Sequence, residues 1–187
     1  MTPISTYSGK LATLLALSLC AITPPVQSQQ DVDPFIKLTV ALIYRSSMFV
    51  TWPKNAFDSE ESPFVIGVLG NDSLHDELLK STEVRDINGH PINLISLDDM
   101  DNLSGVHVLC IDGDKLSDFL EFDPDERENL PILTVSDSSK FVHDGGILRI
   151  FLKNSKPKLE INVDAAKRQR SKISSQLLKF CDVIRDN

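Results

Sequence analysis

One run of six residues limits the fold more than any other stretch. Phe64–Leu69 (FVIGVL) is apolar throughout except for Gly67 and includes β-branched side chains. A strand with one wet face alternates, whereas a strand covered on both faces reads as an unbroken apolar run. Gly70-Asn71-Asp72-Ser73 then supplies a turn and a cap, and Leu74, Leu78 and Leu79 predict a short helix. The unit recurs. Pro91–Leu97 (PINLISL), Val106–Ile111 (VHVLCI) and Ile132–Val135 (ILTV) read as strands, and Asp112-Gly113-Asp114 caps a helix through Phe122. Strands alternating with short helices predict an α/β domain with a mainly parallel central sheet of about five strands flanked by helices.

The ends of the domain carry different patterns. Asp33-Pro34 is a helix start, and Phe35 to Trp52 reads as a helix apolar around much of its girth, stopped by Pro53. Such a helix is buried or lies at an interface. Lys54–Pro63 and Asp123–Asn129 read as loops. Toward the C-terminus, Ile147–Lys153 and Pro157–Val163 alternate about a break at Asn154-Ser155-Lys156, an antiparallel hairpin with one apolar face at the sheet edge. Asp164 is the expected N-cap of a long helix in which Ile173, Leu177, Phe180, Cys181 and Ile184 form the stripe that covers a sheet face.

Residues 1–28 differ from the rest. Lys10 is the one charged side chain before Asp31, and Leu11–Ile22 is an apolar run of twelve, too short to span a bilayer. With Pro24-Pro25 and Ser28 following, this reads as a signal peptide cleaved near Ser28, which leaves a domain of residues 29–187. The whole chain has a formal charge of −8, and loss of Lys10 makes it −9. So acidic a domain is a poor partner for nucleic acid. Cys110 and Cys181 remain after cleavage and read as packed thiols rather than a disulfide pair.

Motifs for catalysis are missing. Gly67-Val68-Leu69-Gly70 lacks dinucleotide-loop spacing, no Walker lysine follows, and the four histidines show no ligand spacing. No G-x-S-x-G elbow occurs. Asp112 stands where α/β ligand sites form, yet helix capping suits it better. No cofactor and no metal is expected from these motifs. Arg149 and Glu160 fall on the hairpin face opposite its apolar residues, in a register that allows pairing, with Lys158 and Asn162 beside them.

Longer blocks carry a resemblance. Phe49-Val50-Thr51-Trp52-Pro53, Ser62–Gly70, VHVLCI, ILTVSDSSKFVHDGGILRIFL (Ile132–Leu152) and LEINVDAAKRQRSKISSQLLKF (Leu159–Phe180) together resemble the YfiR/HmsC family of bacterial periplasmic proteins. The resemblance implies a periplasmic, non-enzymatic repressor that binds the sensory domain of an inner-membrane diguanylate cyclase and lowers cyclic-di-GMP and biofilm formation. It also implies an outer-membrane lipoprotein as a second partner, and a homodimer. Val106 stands where the family often has a cysteine before its histidine, and Arg170-Ser171 replace a small apolar pair, so no disulfide is carried over. Two surfaces follow as expectations: the first helix with Trp52, and a polar patch where Thr51 and Trp52 approach Lys172, Ser174 and Ser175, beside the Arg149, Lys158 and Glu160 face. The rival expectation is a periplasmic small-molecule sensor without a cyclase partner.

Overall fold

The computed structural model describes residues 33–82 and 86–186. The expected signal segment lies outside them. In chain order the elements are α1 (Pro34–Met48), β1 (Val50–Thr51), β2 (Phe64–Leu69), α2 (Asp72–Thr82), β3 (Asp86–Ile87), β4 (His90–Leu97), β5 (Val106–Ile111), α3 (Leu116–Glu121), α4 (Pro124–Asn129), β6 (Leu133–Ser136), β7 (Leu148–Lys153), β8 (Lys156–Asn162), α5 (Val163–Arg168), β9 (Lys172–Ile173), α6 (Ser175–Leu178) and β10 (Asp182–Ile184). Single 3-10 turns at Lys54–Ala56 and Gly113–Lys115 complete the set.

Ten strands are described, and eight form one sheet in the order β10-β8-β7-β6-β5-β2-β4-β3. Five of them, β4, β2, β5, β6 and β7, are mutually parallel. The expectation of about five strands thus holds for the parallel centre and falls short at the edges. β3 is antiparallel to β4, β8 is antiparallel to β7, and β10 runs parallel to β8. Edge strands of two or three residues are too short to leave a pattern in the sequence.

The chain enters the sheet at β2, crosses to β4 on one side, then returns to β5, β6 and β7 on the other. This reversal puts a switch point between β2 and β5. Alternation along the central strands feeds two cores. Ile66, Val68, Val108 and Cys110 pack with Val40 and Ile43 of α1 and Leu78 of α2. Leu69, Leu109 and Ile111 pack with Met100, Phe119 and Phe141. Each such side chain contributes roughly 1.5–3 kcal/mol by leaving water. Gly67 sits in this run because a Cβ there would stand 2.8 Å from Leu97 Cδ1.

Asp33 opens α1 as expected, its Oδ1 accepting from the Phe35 amide at 2.8 Å. The helix ends at Met48, short of the expected Trp52. Val50 and Thr51 are β-branched, and β9 offers them antiparallel partners, Val50 with Ile173 and Thr51 with Lys172. Asp123–Asn129 is not a loop: Asp123 Oδ1 accepts from the Asp125 amide, and Pro124 starts α4.

The largest correction concerns residues 164–184. No long covering helix forms. Asn162, not Asp164, is the N-cap, its Oδ1 accepting from the amides of Asp164 at 3.0 Å and Ala165 at 2.9 Å. α5 stops after Arg168, and Arg170 adopts a left-handed φ of 56°. The chain then supplies β9, the single turn α6 capped by Ser174, and β10. The residues read as a helical stripe divide between these elements.

Candidate functional site

Pairing of β1 with β9 builds the first candidate surface. Thr51 lies opposite Lys172, and the Ser174 amide donates to the Phe49 carbonyl at 2.9 Å. Strand pairing therefore brings Lys172 and the Ser174 backbone to the Phe49–Thr51 segment, with Ser175 next in the chain, rather than a helix end doing so. Ser174 is committed: its Oγ accepts from the Gln176 amide. Lys172 also lines a concavity of about 560 Å3 with Lys167, Ile173, Val183 and Arg185. Trp52 departs from expectation. It is half-buried, its ring edge-on to Phe64 at 5.6 Å and His107 at 5.9 Å, and its Nε1 lies buried without a hydrogen-bond partner.

The hairpin face is a separate place. Arg149 pairs across β7 and β8 with Glu160, Nη1 to Oε2 at 2.9 Å, in the register the alternation allowed. Arg149 Nε also donates to the Asp137 carbonyl, and its guanidinium covers the Phe151 ring at 3.7 Å. Lys158, opposite Phe151, is exposed. Asn162 leaves the polar face altogether. It is fully buried, and its Nδ2 donates to the Val142 carbonyl and to Asp186, each at 2.8 Å. A two-residue turn, Asn154 (φ 53°) and Ser155 (φ 58°), closes the hairpin, with Lys153 facing Lys156.

Between α1, β8 and α6 runs an apolar groove of about 280 Å3. Leu42, Arg45 and Ser46 form one wall, Pro157 and Leu159 another, and Leu177 and Phe180 the third. Phe180 is 71% exposed, the largest value among the exposed large apolar side chains of the described residues. An aromatic ring in water forfeits the free energy of burial, and beside an apolar groove it makes a candidate contact surface.

A cluster invisible in the sequence holds the segment before β2. Phe57 is stacked between His90 (ring centroids 4.0 Å apart) and His107 (4.2 Å), and His107 stacks on Phe64 at 4.9 Å. His107 Nδ1 accepts from the Val65 amide at 3.0 Å, so Nε2 carries the proton and donates to the Ala56 carbonyl at 2.9 Å. Burial first, and His90 nearby, hold its pKa below the ordinary value against the opposing pull of the Ala56 carbonyl.

A cavity of about 230 Å3 opens at the carboxyl ends of β2, β5 and β6, under the start of α1. Ile43, Cys110, Val135 and Ile150 are among its apolar lining, and Asp33, Asn71, Asp112 and Asp137 among its polar lining. Loss of water contact raises the Asp137 pKa, and Asp112 adds to the rise. Asp112 does cap the turn after β5, its Oδ1 accepting from the Asp114 amide. Neither cysteine is activated. Burial pushes Cys110 up to about 12 and, with Asp182, Cys181 up to about 11; both are free thiols, Cys181 only half-buried.

No helix among the described residues is long and apolar enough to cross a membrane. A comparison with curated proteins finds no match. A family profile described as YfiR/HmsC-like matches residues 36–181, from the first turn of α1 to the residue before β10. That span takes in β1, β9, the hairpin and every wall of the apolar groove, and the chain belongs to the YfiR/HmsC-like family.

Proposed function

We propose that the protein is an exported, non-enzymatic regulator that docks on the periplasmic sensory domain of an inner-membrane diguanylate cyclase and represses it. Membership of the YfiR/HmsC-like family supports this reading, and the exposed Phe180 beside the α1–β8–α6 groove is the observation that gives it a surface. The first helix enters the contact through Leu42 and Arg45 rather than through Trp52, whose ring is already packed. The β1–β9 patch with Thr51, Lys172 and Ser175 borders the surface as a place where a small ligand tunes the contact. Repression works by population shift: docking lowers the free energy of the inactive sensory conformation more than that of the active one. Output falls as cyclic-di-GMP and biofilm, and an outer-membrane lipoprotein that takes the regulator away restores it.

The test is capture of the cyclase from solubilised membranes by the tagged, exported protein, beside a Phe180→Asp variant. Capture by the wild type, its loss in the variant, and a rise of cyclic-di-GMP in cells carrying the variant are the expected results. Deletion of the gene with no change in cyclic-di-GMP or biofilm refutes the reading. A wild-type dimer that Phe180→Asp converts to monomer assigns the groove to a second copy instead.

The carboxyl-end cavity favours a second reading, a small-molecule sensor without a cyclase partner. Its mark is a ligand-induced melting shift in a protein that captures nothing.

A further inference from the structure

The carboxyl-end cavity lies where the chain path reverses, between β2 and β5. Crossovers leave a switch point in opposite directions and keep the strand ends uncovered, which is where open α/β sheets hold ligands. The opening has two chemical zones. Ile43, Val135 and Ile150, all buried core residues, give it an apolar floor. Asp33, Asp112 and Asp137 give it an anionic rim, and no lysine or arginine is among its lining residues.

Two of the three carboxylates have intramolecular duties. Asp33 caps α1, and Asp112 accepts from Asn71 Nδ2 at 2.8 Å as well as from the Asp114 amide. Asp137 binds Arg149 through its backbone carbonyl, not its carboxylate, and Arg149 Nη1 is engaged by Glu160. The nearest cation is therefore already spoken for. Asp137 is exposed at the rim; partial loss of hydration and the Asp112 and Asp114 carboxylates raise its pKa, while its own backbone and Arg149 pull the other way. A cation placed there offsets the repulsion between the carboxylates. Among the described residues no group of three or more His, Cys, Asp or Glu is arranged to hold a metal ion. The apolar floor points the same way, because a bare ion gains nothing from it.

We propose that this cavity binds a small organic cation, a primary ammonium carried on an apolar body. The body rests on Ile43, Val135 and Ile150, and the ammonium sits between Asp112 and Asp137. At about 230 Å3 the cavity is smaller than the roughly 300–1,000 Å3 of drug-sized sites, so the ligand is fragment-sized. The inference rests on the cavity and is independent of cyclase docking.

The test compares phenethylammonium with 2-phenylethanol and 3-phenylpropionate, which share its ring but not its charge. Melting temperature and titration calorimetry are measured on the exported protein, on Asp137→Asn and on Phe180→Asp. The ammonium should raise the melting temperature at concentrations where the alcohol and the carboxylate do not. Asp137→Asn, whose carboxylate makes no hydrogen bond or ion pair with another described residue, should keep the unliganded melting temperature and weaken the ammonium about fivefold, as for a partly exposed ion pair. Phe180→Asp should respond as the wild type does, which separates this site from the docking groove. Equal shifts with all three probes, no shift with the ammonium, or full binding by Asp137→Asn each overturn the proposal. So does a response to calcium ion in place of the ammonium.

Discussion

Acid should loosen this protein through His107. The ring is 3% exposed, takes a proton only at Nδ1, and already accepts the Val65 amide there. Protonation sets two donors face to face and breaks that bond. The folded-state pKa is lowered, so below about pH 6.5, the ordinary value, the unfolded chain binds more protons than the folded one. Stability is therefore full above 6.5, falls as pH drops toward the folded-state pKa, and levels off below it. One proton sets the steepest slope at about 1.4 kcal/mol per pH unit. Urea unfolding between pH 7.5 and 5, read by the fluorescence of Trp52, follows the loss, since the only tryptophan lies against this imidazole. His107→Phe retains the ring stack but strands the Val65 amide and Ala56 carbonyl, at a cost of about 2 kcal/mol at pH 7.5. Because His75, His90 and His143 are common to both proteins, the quantity of interest is the difference in slope. The wild type must lose stability faster than the variant on acidification; parallel pH curves would refute the argument.

Further consequences can be measured on the same material. Asn162→Ala removes two cap bonds and two donor bonds at a fully buried position; a loss of about 3 kcal/mol, or roughly 6–12 °C in melting temperature, is expected by calorimetry. A double-mutant cycle on Arg149→Ala and Glu160→Ala should give a coupling of about 1 kcal/mol that shrinks in high salt, and zero coupling would reduce the cross-strand pair to a geometric coincidence. Thiol reagents at pH 7.5 should leave Cys110 unmodified in the folded protein and modify it in denaturant, with Cys181 reacting slowly in between; mass spectrometry after timed quenching distinguishes the two sites.

What the sequence disclosed was local. The run at Phe64–Leu69 announced a strand covered on both faces, Asp33-Pro34 announced a helix start, and alternation around Asn154-Ser155 allowed the register that sets Arg149 opposite Glu160. The same Asp-Pro signal at Asp123-Pro124 was outweighed by the charge of the residues after it, and α4 was read as a loop. The C-terminal stripe misled for another reason. Ile173, Leu177 and Phe180 keep helical spacing, but the chain turns at Arg170 without the glycine that would announce a left-handed residue. β9 exists because β1, near the other end of the domain, gives it hydrogen bonds, and no window of sequence contains both. His107 stayed silent because both of its hydrogen-bond partners are backbone groups. Of the expected polar patch, Lys172 faces Thr51 and Ser174 pairs with Phe49, whereas Trp52 packs half-buried against Phe64 and His107.

The α1–β8–α6 groove draws its walls from opposite ends of the domain, one from Leu42–Ser46 and the others from Pro157–Phe180. A nascent chain that has made only its first wall possesses the helix without the groove. Premature termination anywhere before Phe180 leaves at least one wall incomplete. The groove is thus whole only after Phe180 has been made, and a product cut short before it lacks part of that surface.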